Sequence, residues 1–204
     1  SAWIDASYTL SRAEDTGFDP LKGGVSIPQD SETFVVTERG RGDGDRKHRV
    51  VVSSDLPAWA GFRVSGVLTW SSGLVFNVTS GTDINVDGIL TDRPDGVARN
   101  AGEDTDLDAI NAFRTSTMNP NPDTRFPISG LDEPTFLQLD LRIRRPFVFK
   151  GGRGTGEAYL QIFNLLDREN IGLIDGRIVS ENFGRGITLA GPPRTIVTGF
   201  KLGF

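Results

Sequence analysis

TFLQLDLRIRRPF, residues 135–147, alternates apolar and polar side chains more sharply than any other stretch of the chain. Leu137, Leu139, Leu141 and Ile143 fall on one face of an extended segment, with Gln138, Asp140, Arg142 and Arg144 on the other. Successive side chains of a strand point to opposite sides, so period two marks a strand with unlike faces. Five other stretches repeat the pattern. In 3–10, Ile4, Ala6, Tyr8 and Leu10 oppose Asp5, Ser7 and Thr9; in 48–56, Val50, Val52, Ser54 and Leu56 oppose Arg49, Val51, Ser53 and Asp55. In 62–73, Phe62, Val64, Gly66, Leu68 and Trp70 oppose Arg63, Ser65, Val67 and Thr69, and LVFNVTSG reads as a continuation past a bulge at Gly73. EAYLQIFNLLD (157–167) and RTIVTGFKLGF (194–204) complete the set. The only helical reading is DLDAINAF, 106–113, two turns inside a loop.

Composition agrees with a folded all-β chain: 204 residues suffice for one domain, 37% are hydrophobic, and 25 Gly with 11 Pro point to many turns. The net charge of -5 argues against a nucleic-acid partner, and Lys occurs only at 22, 47, 150 and 201. Without cysteine, neither a disulfide framework nor a thiolate metal site is available. No apolar run suits a transmembrane helix, and no basic segment followed by an apolar one suits a signal peptide. Ser1 leads straight into a strand pattern, so the start reads as cut within a longer protein.

Two all-β objects share this alternation. A soluble sandwich buries the apolar face, whereas an outer-membrane barrel turns it to lipid, crossing with strands of about 9–11 residues. Loop lengths favour the barrel, because long connections (11–48, 80–133, 164–192) alternate strictly with short ones (57–61, 148–156), as extracellular loops alternate with periplasmic turns. Aromatic placement agrees. Phe62 and Trp70 share a face about 26 Å apart along the strand, about 19 Å along the membrane normal at a 45° tilt. Trp59, Phe147, Phe149 and Phe204 fall at one rim, and Trp3 or Tyr8 and Trp70 also lie near the bilayer rims, as girdle residues do. Asp140, Arg142 and Arg144 suit a polar lumen, though a solvated sheet face would look similar. A six-stranded sheet leaves open edges that lipid cannot satisfy, so the chain reads as one part of a larger antiparallel transmembrane β-barrel.

Four segments carry a family resemblance: HRVVVSSDLPAWAGFRVSGVLTWSSGLVFNVTSGTDINVDGILTDRPDGVARN (48–100), FLQLDLRIRRPF (136–147), EAYLQIFNLLDREN (157–170) and NFGRGITLAGPPRTIVTGFKLGF (182–204). Together they resemble the C-terminal part of TonB-dependent outer-membrane receptors, in particular the Oar-like group with a carboxypeptidase-regulatory-like domain. The resemblance implies that residues 1–204 are the last six strands of a 22-stranded barrel. It implies a plug domain, a TonB box and the earlier strands outside this sequence. It also implies location in the outer membrane of a Gram-negative bacterium and active uptake of a large ligand. The implied partners are outer-membrane lipid, the remaining strands and plug, the TonB complex through the plug, and the barrel assembly machinery, which would read Phe200, Leu202 and Phe204. Two alternatives stay open: a passive porin-like or adhesin-like barrel, and a soluble β-rich binding domain.

No catalytic constellation is present, so no enzyme is expected. His48, the sole histidine, stands among Arg46, Lys47 and Arg49 and suits a rim role. The R-G-D at 41–43 reads as part of a charged flexible loop. The one candidate for bound chemistry is GTDINVDGILTDRPDG, 81–96. Asp83, Asn85 and Asp87 alternate before Gly88, matching the first half of a calcium loop, with the Ile89 carbonyl next and Asp92 as closing carboxylate. Pro94 stands where an EF-hand carries Glu, and no helices flank the loop. The other reading is a turn capped by its own Asp and Asn side chains. Asn164 is expected to hydrogen-bond locally at a strand end, and 167–170 and 182–185 to order the last long loop.

Overall fold

The computed structural model describes residues 1–16, 29, 38–117, 131–149, 151 and 154–203. Six long strands form one antiparallel sheet: β1 (Trp3–Leu10), β4 (His48–Pro57), β5 (Arg63–Ser71), β6 (Phe136–Val148), β7 (Thr155–Phe163) and β10 (Thr195–Gly203), in the order β1-β4-β5-β6-β7-β10. Strand neighbours in the sheet are thus neighbours among the long strands in sequence. Four short strands lie in the long connections: β2 (Glu14–Asp15) pairs with β3 (Gly40–Arg41), and β8 (Ile171–Ile174) with β9 (Gly186–Leu189).

Register turns six separate alternations into one surface. Tyr8, Val50, Trp70 and Leu137 form one cross-strand row; Ala6, Val52, Leu68 and Leu139 form the next. Ile4, Ser54, Gly66, Leu141, Ile162 and Ile196 form a third, and Leu56, Val64, Ile143, Leu160 and Thr198 a fourth. A one-residue slip in any pair would have mixed the faces. From Leu137 to Phe147 strand β6 rises about 33 Å, or about 23 Å along a normal tilted 45° to it, close to the height of a barrel's apolar band.

Nothing among the described residues covers this face with a second sheet, and each long strand packs chiefly on its sheet neighbours. The buried core lies elsewhere. Phe76, Val78, Val97, Ile110, Leu131, Ile178 and Phe183 all belong to the long connections. They gather around helix α1 (Leu107–Thr117), so the loops on that side fold into a body of their own.

Two sequence expectations change. LVFNVTSG does not prolong β5: Val75, Phe76 and Val78 turn into the loop core, because Gly73 lies against the Glu133 backbone and the chain leaves the sheet. Helix α1 runs four residues past the expected 113, to Thr117. Of the alternatives Trp3 and Tyr8, Trp3 pairs with Asp55 on the polar face, while Tyr8, opposite Val50, lies on the apolar one. Phe204 and NPNPDTRFP (119–127) lie outside the described residues.

Candidate functional site

The polar face gathers its charges at the end bearing the short turns. Arg63 and Arg144 both donate to Asp55, at 2.5 and 3.0 Å, and Ser65 adds a hydrogen bond of 2.9 Å. Arg142 donates to Glu157 at 2.7 Å, while Arg144 lies 3.5 Å from the same carboxylate. The Arg142 guanidinium also stands 4.4 Å from the centroid of the Tyr159 ring. These residues sit on β4, β5, β6 and β7 at neighbouring register positions, so they form a ladder across the sheet. Three guanidiniums share two carboxylates, and the Nε groups of Arg142 and Arg144 are buried without a hydrogen-bond partner among the described residues.

At the other end the long connections are joined by buried ions. Arg93 makes a paired contact with Glu38 at 3.0 Å, and Arg99 reaches Asp43 at 3.2 Å and Asp15 at 2.5 Å. Arg41 bonds Asp45 at 2.9 Å and Glu133 at 3.2 Å. Both charged members of the R-G-D are therefore occupied inside the protein, which contradicts the flexible-loop reading of that segment. Burial holds the Glu133 carboxyl above its ordinary range despite Arg41. Asp175 goes the other way: Arg177 chelates it, Ser180 donates at 2.6 Å, and its pKa falls to about 2. A cavity of about 650 Å³ opens between these connections, lined by Leu74, Phe76, Leu90 and Leu173 with Asn100 and Arg177.

The residues of the calcium-loop motif stand in one turn. Asp83 accepts the amides of Asp87 and Gly88 at 3.0 and 2.8 Å. Asn85 accepts Asp87 N–H at 3.1 Å, Asp87 accepts Ile89 N–H at 2.9 Å, and buried Asp92 accepts Ile84 and Asn85 N–H. The turn closes on its own side chains. Among the described residues no group of three or more His, Asp or Glu side chains comes together in metal-binding range.

His48 sits where β4 begins, with Nδ1 2.9 Å from the Tyr8 hydroxyl. Asn164, almost fully buried, donates to the carbonyls of Arg168 and Pro192, as a strand-end organiser should. Asn170 takes the place of a strand partner by bonding both backbone groups of Leu137. The buried Arg93–Glu38 and Arg99–Asp43 pairs were not foreseen, since charges in turn-rich stretches carry no periodicity that would match them.

The sheet thus has one apolar face spanning six strands, an opposite face that carries the charges, and connections sorted by length between its two ends. The outer membrane beta barrel domain family matches residues 2–196. The chain belongs to this family. No curated protein and no solved structure matches it. Family membership places the barrel domain in the outer membrane, overturns the soluble alternative, and bears out the reading that it is not an enzyme. The apolar rows and the ladder from Asp55 to Tyr159 stand on opposite faces of its sheet.

Proposed function

We propose that this barrel domain is the C-terminal part of a TonB-dependent receptor, its six long strands being the last of about 22, and that it takes part in active uptake of a large ligand. The observation that supports this most is the ladder, with its surplus guanidinium and two Nε donors that have no partner among the described residues, at the end bearing the short turns. Buried donors without acceptors are costly, and a plug seated there supplies carboxylates or carbonyls. The remaining strands continue the sheet from the edges of β1 and β10. TonB acts through the plug, and the assembly machinery reads the C-terminal strand. The packed long connections serve ligand capture or closure. In the same reading calcium on Asp83, Asn85, Asp87, Asp92 and the Ile89 carbonyl reinforces the loop root, and calcium-dependent amide protection at 83–92, absent in Asp83→Asn, tests that part.

Planar-bilayer conductance of the intact protein tests the main reading. A plugged receptor stays closed until the plug is unfolded or deleted. A steadily open channel in the intact protein sinks it in favour of the passive porin-like alternative.

A further inference from the structure

We propose that Arg145 holds the phosphate of a glycerophospholipid on the lipid side of the barrel domain, at its periplasmic rim. Arg145 pairs with Ala158 and therefore shares the face of Leu141 and Ile143, although its neighbours Arg142 and Arg144 point the other way. It is exposed there. Arg63, Arg142 and Arg144 on the inner side each hold a carboxylate, whereas among the described residues Arg145 holds none.

What surrounds it is aromatic. Its guanidinium carbon lies 5.3 Å from the centroid of the Phe62 ring, and Phe62 in turn stacks at a tilt with Trp59, centroids 6.5 Å apart. Towards the turn stand Phe147 and Phe149, edge to face at 5.5 Å. Across Ala158, whose methyl group leaves the guanidinium uncovered on that side, the register places Phe200. The result is a single cation framed by rings on a surface that meets the bilayer.

A ring face satisfies a cation only in part, and among the described residues none of the N–H donors of Arg145 has an acceptor. On this side of the rim the hydrocarbon offers no acceptor. The phosphodiester of a lipid in the adjoining leaflet does: its two unesterified oxygens match the guanidinium fork, and the rings lie along the glycerol and upper acyl region, where aromatic belts reside. A phosphate ligand, and not a protein partner, is favoured because the site is one charge inside an apolar rim. The proposal rests on which face meets lipid and is independent of TonB and of the transported ligand.

The test uses the intact outer-membrane protein that carries this chain, delipidated in maltoside and titrated with phosphatidylglycerol or with phosphate-free diacylglycerol. Native mass spectrometry counts the bound lipid. Removing one guanidinium contact should lower phosphatidylglycerol retention about fivefold in Arg145→Gln, leave most of it in Arg145→Lys, and leave diacylglycerol unchanged. Heat-modifiable gel migration establishes that each variant is a folded barrel. Should Arg145→Gln fail to fold, a photo-crosslinker replacing Phe147 in cells decides, with a phospholipid adduct expected. Equal phosphatidylglycerol retention by wild type and folded Arg145→Gln, or a polypeptide as the main crosslinked product, overturns the proposal.

Discussion

Arg93 and Glu38 meet through two hydrogen bonds of 3.0 Å, with both side chains almost closed to solvent. They join the first long connection to the second. Removing one partner of such a buried pair costs up to about 3–5 kcal/mol, less where Glu38 is left because Arg99 stands 3.9 Å from it, while replacing both with apolar groups costs far less. Arg93→Met and Glu38→Leu singly should therefore speed amide exchange across 93–110 strongly, and the double variant should recover most of the protection.

Gly199 of β10 leaves room for Tyr159: a Cβ there would come within 2.5 Å of the phenolic oxygen. Gly199→Ala is expected to displace the ring, pull it from Arg142 and cost about 1–3 kcal/mol. Urea unfolding of the intact barrel measures the loss. Adding Tyr159→Leu should restore stability if the clash is its source.

Gly176 admits no side chain at all, since a Cβ would sit 1.7 Å from the Asn77 carbonyl oxygen. That contact belongs to the parallel bridge between Thr79 and Arg177. Gly176→Ala should break the bridge, opening the 77–82 and 175–180 segments to protease while leaving the long strands protected.

Two carboxylates give opposite responses to pH. Asp175, lowered to about 2 by Arg177, stabilises the loop body above the unfolded-state value of 3.8 and loses that contribution as pH falls through about 2. Solvent around the largely exposed Arg177 screens the pair, so the amount is about 1 kcal/mol, and Asp175→Asn should abolish it. Glu133 is raised by burial, so its contribution is full below its unfolded-state value and is lost as pH rises through the folded one. Amide exchange near each residue across pH 2–7 separates them: acid should loosen 175–185 while tightening the surroundings of Glu133.

The six strands are legible in the sequence because a sheet with unlike faces writes itself as alternation, as Leu137 to Ile143 show. The loop core is not. Val75, Phe76 and Val78 follow a strand and look like more of it, and only the close approach of Gly73 to Glu133, distant in sequence, sends them elsewhere. The same holds for Arg93 with Glu38, whose pairing depends on a fold that local pattern does not encode. Trp3 was legible after all: alternation from Asp5, Ser7 and Thr9 puts it on the polar face, as its pairing with Asp55 shows. The Asp83–Asp92 motif was visible as residue types that suit either a calcium loop or a self-capped turn, and the amides that its oxygens accept are those of such a turn.

The bridge between Thr79 and Arg177, together with the core shared by Phe76, Val78, Ile178 and Phe183, makes the second and third long connections one solid piece. A pull on either is felt by both. Such a piece behaves as a latch with few independent joints: a ligand that engages one connection moves the other without any message passing through the strands below.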